Sequence, residues 1–255
     1  FLKYFTFRAE YGFDASQNQN KSYIPRYQFG LVSNDINQMM HREDHSFFWV
    51  QKDYITYHQR FKEKHDLTVM AGFEASKSTW NNTTLIKKNF SSDQIFVMTN
   101  DGEFVSNNGY DDSATTASLF ARANYAFDNR YLITATVRRD GSSKFGPNNK
   151  WGTFPSVALA WRISSEKFMD KAYWLNNLKL RLGYGRVGNS NIDTYRYGSA
   201  MTTMLTPGGT AYYPLNLANP NLKWEASEQY NIGLDFAALD NRIELTLDFY
   251  KKQTK

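Results

Sequence analysis

The most constraining feature of this sequence is the alternation of apolar and polar residues at every second position. Tyr131, Ile133 and Val137 alternate with Thr134 and Thr136. The same period of two recurs at 67–75, 178–185 and 242–249. Successive side chains of a β-strand point to opposite faces, whereas a helix would repeat every 3.6 residues. The pattern therefore predicts strands with one apolar and one polar face.

Extending this pattern along the chain predicts nine strands, several of which are unusually long. They lie near 2–14, 46–61, 66–78, 114–127, 130–140, 152–164, 177–187, 224–237 and 241–253. Strands of soluble sheets usually hold about 5–6 residues. A tilted strand that crosses a bilayer needs about 9–11. The lengths favour membrane-spanning strands.

The predicted connections alternate between short turns and long polar loops. The short turns lie at 62–65, 128–129 and 239–241, and the long loops at 15–45, 79–113, 141–151 and 188–223. The connection 165–176 begins with Ser164, Ser165 and Glu166, a pattern typical of an N-capped helical turn. Short turns on one side and long loops on the other are typical of outer-membrane barrels. We predict an all-β fold, part of a large antiparallel transmembrane β-barrel, without an internal domain boundary over 1–255.

The polar face of these strands carries full charges at strand centres, including the predicted lumen- or plug-facing residues Arg122, Arg138 and Arg181. This suits a wet lumen better than the outer sheet of a soluble sandwich, which remains the alternative fold. Aromatic residues near strand ends fit the interfacial girdles of a barrel; they are Tyr11, Phe13, Tyr125, Phe127, Trp161 and Phe236. Because a spanning sheet must close, the remaining strands come from residues outside this chain or from another chain.

Composition excludes several other classes of protein. Thirty Lys and Arg against 25 Asp and Glu leave a net charge of +5, without a basic run, so no nucleic-acid partner is expected. The absence of cysteine excludes disulfides, Cys-ligated zinc and thiol nucleophiles. No uninterrupted apolar stretch of about 20 residues is present, which excludes a transmembrane helix. The chain begins at Phe1 without an initiator Met or signal peptide, so we expect a piece of a longer protein.

Three motifs could suggest cofactors or metals, and none is persuasive. Residues 183–188 spell G-x-G-x-x-G, but a loop-like segment follows them instead of the helix that a dinucleotide requires. The cluster 41–45 contains His41 and His45 in a predicted loop without a closely spaced third imidazole, whereas a zinc site needs three or four fixed ligands. Asp101, Asp111 and Asp112, with Asn107 and Asn108, could coordinate calcium through oxygens, but their spacing does not match an EF-hand loop. A solvated loop is favoured, and calcium binding is the alternative. Since no catalytic set is present either, we predict no enzyme, cofactor or metal site.

Aromatic residues in the predicted loops are the candidate substrate contacts, because flat rings with a hydroxyl suit sugars or peptides. They are Trp80, Tyr110, Tyr195, Tyr197, Tyr212 and Tyr213. Packing of the loops against one another is the alternative role for each of them.

Several stretches together resemble the SusC/RagA-type TonB-linked outer-membrane transporters of the Bacteroidetes group. They are RRDGSSKFG at 138–146, WGTFPS at 151–156, AWRIS at 160–164, EKF at 166–168, LKLRLGYG at 178–185, NPNLKWE at 219–225 and NIGLD at 231–235. A hairpin over 57–74 is similar to the same family. The matching stretches run in order over most of 50–253, whereas 1–45 adds little.

The resemblance implies a barrel of about 22 strands filled by an N-terminal plug, of which this chain supplies about nine strands and no plug. It also implies import of glycans or oligopeptides across the outer membrane of a Gram-negative bacterium. The implied partners are a SusD-like surface lipoprotein, the TonB complex and outer-membrane lipid. A passive porin and a soluble carbohydrate-binding module remain alternative functions, and a barrel enzyme is a weaker alternative. The choice between glycan and peptide as the imported substrate is open.

Overall fold

The computed structural model describes residues 2–94 and 96–254, and most of this part of the chain is β-strand. In chain order the strands are β1 (Phe5–Ile24), β2 (Tyr27–Phe29), β3 (Val32–Asn34), β4 (Gln38–Phe61), β5 (His65–Lys88), β6 (Glu103–Phe127), β7 (Tyr131–Ser142), β8 (Trp151–Arg162), β9 (Leu175–Asn189), β10 (Met201–Thr206), β11 (Gly209–Pro214), β12 (Glu225–Ala238) and β13 (Ile243–Thr254). The described helices are three 3₁₀ turns at Leu2–Tyr4, Ile163–Ser165 and Lys167–Met169. None of them has the length and apolarity to span a membrane.

Nine of the strands form one sheet in the order β1-β4-β5-β6-β7-β8-β9-β12-β13. Each strand of this sheet is thus the neighbour of the next one along the chain, and the pairs from β6 to β13 are antiparallel. The hairpins β2–β3 and β10–β11 lie within two of the connections. This arrangement confirms the prediction of nine long strands in an antiparallel all-β sheet.

The predicted short turns are present where the sequence placed them. Asp128 and Asn129 both have φ of 52°, which is the left-handed conformation of a tight hairpin turn. Lys62 and Glu63 have φ of 49° and 55° between β4 and β5. The predicted helical turn after β8 consists of two 3₁₀ turns, and neither has a side-chain N-cap hydrogen bond. The capping prediction was therefore wrong.

Two of the predicted long loops are largely strand. β1 continues to Ile24 and β4 begins at Gln38, so most of 15–45 is extended. β5 reaches Lys88 and β6 starts at Glu103, which shortens the loop predicted at 79–113 to 89–102. The outer part of β1 is almost entirely exposed, so no apolar alternation marks it as a strand. Ladder pairing between neighbouring strands stabilises such segments without an apolar face.

The described residues divide into two compact units, each with its own buried residues. The first contains 2–11, 51–75 and 115–254, and the second contains 12–50 with 76–94 and 96–114. Phe145, Phe154 and Ala226 are buried in the first unit. Met39 and Phe90 are buried in the second. The absence of a domain boundary stays a prediction.

Candidate functional site

One face of the first unit carries rows of apolar side chains that are exposed. Residues directly opposite one another on neighbouring strands share a face of the sheet. One such row is Ile133, Leu159, Leu182, Ile232 and Phe249, on β7, β8, β9, β12 and β13. Their exposed fractions lie between 41% and 68%. A continuous exposed apolar surface of this kind needs an apolar environment.

The opposite face of the same five strands carries hydrogen-bonding side chains and a glycine in a row of its own. Thr136, Ser156, Gly185, Gln229 and Lys252 are opposite one another across the same five strands. The register thus separates an apolar from a polar face across the sheet, as the alternation in the sequence predicts. We refer to these as the apolar face and the polar face.

Arg138 is the centre of an ion-pair network on the polar face. Its Nη2 donates to Glu74 Oε1 at 3.0 Å and to Ser118 Oγ at 2.8 Å. Its Nε donates to Asp140 Oδ1 at 2.6 Å. Lys52 Nζ lies 3.5 Å from the other Glu74 oxygen. The network joins β4, β5, β6 and β7 and neutralises the Arg138 charge within the sheet.

Arg181 forms a second network farther along the same face. Its guanidinium binds Asp235 through two nitrogens, each 2.9 Å from a carboxylate oxygen. Its Nη2 also lies 2.9 Å from Asp248 Oδ1. The fork geometry of arginine suits a bidentate contact with a carboxylate. Arg122, by contrast, donates to the Asn124 amide oxygen at 3.2 Å.

An aromatic cluster brings together three of the stretches that carry the family resemblance. The rings of Phe145 and Trp224 stack with centroids 4.9 Å apart, and Phe154 meets Trp224 edge-on at 5.4 Å. Trp224 Nε1 donates to the Lys150 carbonyl. A Cβ on Gly188 would lie 2.0 Å from the Phe154 ring, so this position requires glycine. The cluster explains why these residue types occur together in the sequence.

Several aromatic rings lie together at the ends of β6, β7 and β8 that join the short turns. Tyr131 stacks on Phe127 at 6.3 Å and on Trp161 at 6.5 Å. Trp161 Nε1 donates to Glu166, which also pairs with Arg130. Hydrogen bonds from Tyr131 and Trp161, together with the Arg130 charge, hold the pKa of Glu166 below its ordinary value although burial opposes this. These contacts fasten the 3₁₀ turns to the hairpin between β6 and β7.

In the second unit, the loop 89–102 is held by polar contacts. The Asn37 side chain accepts a hydrogen bond from the Phe90 amide at 2.7 Å and donates to Asp93 at 2.8 Å. Tyr23 and Arg26 donate to the same carboxylate. These hydrogen bonds, that from Asn37 foremost, lower the pKa of Asp93 from 3.8 to about 2. The loop is thus fixed to the ends of β1 and β4.

The predicted substrate-contact aromatics are dispersed. Trp80 lies on β5 and Tyr110 on β6, so these two predicted loop positions are in strands. Tyr212 and Tyr213 lie on β11. Tyr195 and Tyr197 precede β10, and Tyr195 has φ of 58°. Their role in substrate contact stays a prediction.

The motifs that could suggest a cofactor or metal also lie mainly on strands. Residues 183–188 are inside β9, so no helix N-terminus follows the glycines. His41 and His45 lie on β4 and not in a loop, and His41 pairs with Gln19 and Glu43. Asp111 and Asp112 lie on β6, while Asp101 accepts hydrogen bonds from Ser91. Among the described residues, no group of three or more His, Cys, Asp or Glu could hold a metal ion.

Sequence reasoning missed the acidic partners of the arginines. Glu74, Asp140 and Asp235 lie on predicted strands, but their pairing with Arg138 and Arg181 depends on the register between strands. Asn37 was missed too, since an isolated polar residue in a predicted loop gives no signal.

Comparison with known proteins identifies relatives of the chain. It matches the family model described as TonB dependent receptor-like, beta-barrel, over residues 2–255. TonB-dependent receptor P39 from Formosa agariphila is 32% identical over 256 residues, which cover 98% of this chain and 24% of that relative. TonB-dependent receptor SusC from Bacteroides thetaiotaomicron is 44% identical over 148 residues, which cover 55% of this chain and 15% of SusC. The chain therefore spans at most about a quarter of these relatives.

Solved structures give the same result at the level of the fold. A structure of the RagAB peptide transporter superposes with a TM-score of 0.88 and 29% identity, covering 99% of this chain and 28% of that chain. The RagAB peptide importer in its closed-closed state superposes with a TM-score of 0.90 at the same identity and coverage.

Proposed function

Because the chain belongs to the family of TonB-dependent receptor-like β-barrels, we propose that it forms part of the wall of an energised import channel in the bacterial outer membrane. The apolar face meets outer-membrane lipid, and the polar face lines the interior, where a plug domain and the imported solute lie. The observation that carries this proposal is the separation of the two faces in register across the sheet.

The charges of the polar face support the same assignment. Arg138 and Arg181 are ion-paired with carboxylates on neighbouring strands. A hydrated interior accommodates such pairs, whereas charges toward lipid cost about 2–4 kcal/mol at the middle of the bilayer. Arg122, Arg138 and Arg181 therefore face the interior or the plug. No catalytic role is assigned.

The proposed partners and substrate follow from the relatives. The matched structures are those of the RagAB peptide transporter and of the RagAB peptide importer, and one relative is SusC. We assign to this protein a SusD-like surface lipoprotein and the TonB complex as partners, and a glycan or oligopeptide as cargo. The aromatic residues Trp80, Tyr110, Tyr195, Tyr197, Tyr212 and Tyr213 remain the proposed contacts on the long-loop side.

Two experiments on the full-length protein test the proposal. The first is purification in mild detergent with identification of co-purifying chains and ligands by mass spectrometry. A surface lipoprotein with bound oligosaccharide or peptide is the expected result, and extraction without detergent would contradict a membrane wall. The second compares uptake of the identified ligand in cells with and without TonB. Uptake that persists without TonB would indicate a passive porin instead.

A further inference from the structure

Three cations lie on the apolar face of the first unit. They are Arg139 on β7, Arg186 on β9 and Lys251 on β13. Each is an even number of positions along its strand from a member of the exposed apolar row, and successive side chains of a strand alternate between faces; those members are Ile133, Leu182 and Phe249. On this face of the described strands β7, β8, β9, β12 and β13, the one other charged residue is Glu228.

The three cations lie toward the long-loop ends of their strands. Tilted strands place the residues of one row at different heights, so each height is measured from the start of the residue's own strand. Arg139 and Lys251 are each about eight residues from that start, and Arg186 is about eleven. At roughly 3.3 Å per residue and a tilt of about 40°, eight residues correspond to about 20 Å of an apolar band that is about 25 Å high. Long loops of such barrels are extracellular, so these charges lie on the outer-leaflet side.

Arg139 is not neutralised by a carboxylate, unlike its neighbour on the polar face. Arg138 is ion-paired with two carboxylates. Within the described part of the chain, Arg139 has no ion pair, and its guanidinium lies 5.6 Å from the centre of the Trp151 ring. Leu119, opposite Arg139 on β6, is exposed. Arg139 thus presents an uncompensated charge beside an aromatic ring and an apolar surface, with a strand on either side of its own.

Carboxylates offset the other two cations only in part. Arg186 Nε is 4.0 Å from Glu228 Oε1, the outer limit of an ion pair. Lys251 has no ion pair with any residue that the structure describes. Elsewhere on the described strands of the first unit, alternation adds Asp53 to this face, on β4, and β5 and β6 separate its strand from β7. The apolar face from β7 to β13 therefore carries a net positive charge.

A phosphorylated lipid matches this combination of charge and apolar surface. A guanidinium binds phosphate through two nitrogens, and basic residues at a membrane surface attract anionic head groups. Trp151 and the neighbouring rings of Tyr184 and Tyr230, 5.0 Å apart, are residue types favoured at head-group level. The apolar rows on the short-turn side of the cations suit acyl chains. An acidic protein surface would match the cations but not the apolar rows beside them.

We propose that the long-loop edge of the apolar face binds the phosphate groups of phosphorylated glycolipids in the outer leaflet, through Arg139, Arg186 and Lys251. Successive cations are two strands apart, or about 10 Å at roughly 4.8 Å per strand, so they contact separate phosphate groups. The proposal rests on the proposed function, since it requires the apolar face to meet outer-membrane lipid. It adds the class of lipid and the residues that hold it.

The test measures binding of lipid A, a phosphorylated glycolipid, to the full-length protein in detergent by native mass spectrometry. Lipid A without its phosphates is the second probe. We expect the unmodified protein to bind the phosphorylated form more tightly. Arg139→Gln and Lys251→Gln are each expected to weaken this binding about fivefold, the scale of one basic residue at an anionic lipid surface. Neither substitution is expected to change binding of the dephosphorylated form.

Two substitutions on the polar face are the matched controls. Lys252→Gln removes the charge next to Lys251 in the sequence, and Lys252 lies opposite Gln229 on the polar face. Arg122→Gln removes an arginine that lies opposite Thr136 on the same face. Both are expected to leave lipid A binding unchanged. Folded protein is quantified for every variant by its migration in unheated gels.

The outcomes separate this inference from the proposed function. If both forms of lipid A bind equally well, or if the apolar-face variants bind as the unmodified protein does, the phosphate site is wrong and the membrane wall stands. Displacement of lipid A by an equal concentration of inorganic phosphate would assign the cations to a soluble anion instead. Unchanged lipid binding with loss of a co-purifying chain would assign them to a protein partner. A protein that needs no detergent contradicts both proposals.

Discussion

Replacing Val157 with lysine tests the orientation of the sheet most directly. Val157 lies on the apolar face of β8 between Trp151 and Trp161, which are on the same face. The two tryptophans are about ten residues apart, or about 33 Å of strand at roughly 3.3 Å per residue. A tilt of about 40° reduces this to about 25 Å along the membrane normal, which equals the height of the apolar band between two aromatic girdles.

Val157 then lies about 2–3 Å from the middle of this band. A lysine there is expected to destabilise the folded barrel by about 2–4 kcal/mol, the cost of a cation near the bilayer midplane. The measurement is the urea dependence of folding of the full-length protein into lipid vesicles. The folded fraction is read from the difference in migration between heated and unheated samples.

Ser156→Lys is the matched control, because Ser156 is the adjacent residue and lies on the polar face opposite Gly185. We expect its folding free energy to change by less than about 1 kcal/mol, since the ammonium can reach water. Equal costs for the two lysines, or a larger cost at Ser156, would refute the assignment of the apolar face to lipid.

Two further predictions concern the loops and their anchors. Gly188→Ala places a Cβ about 2.0 Å from the Phe154 ring and is expected to lower the free energy of unfolding in urea by about 1–3 kcal/mol. Gly208→Ala is the control, because it has open space around it and is expected to leave this free energy unchanged. Because the pKa of Asp93 is lowered from 3.8 to about 2, its contribution to loop order is complete above pH 3.8 and is lost as the pH falls through about 2. A spin label at Gln94→Cys is expected to become mobile as the pH falls over this range. In the Asp93→Asn background, the mobility of the label is expected to change little with pH. A label that stays immobile at the lowest pH would count against the Asp93 anchor.

The sequence predicted the sheet well where one face is apolar and poorly where both faces are polar. The pattern around Tyr131, Ile133 and Val137 identified β7 because its apolar residues share one face. The outer half of β1 has no such pattern, since its residues are exposed on both sides, and it was predicted as loop. β1 is hydrogen-bonded to β4 in the sheet, and a strand's pairing partners cannot be read from its own sequence.

The polar network around Arg138 was predictable only in part, for a related reason. The alternation places Arg138 on the polar face, and it places Glu74 on the polar face of its own strand. The 3.0 Å contact between the two side chains depends on the position of β6 between their strands and on the register of three strands. One-residue shifts in register would move every partner to the other face. The sequence identified the side of the sheet but not the ion pair.

The glycines show most clearly what the structure adds. Gly183, Gly185 and Gly188 all lie on β9 within six residues of one another, and in the sequence they form one motif. The structure separates them, because Gly188 is required by the Phe154 ring, whereas Gly183 and Gly185 have only ordinary contacts. The same motif thus combines a glycine that the aromatic cluster requires with two glycines that their neighbours do not require.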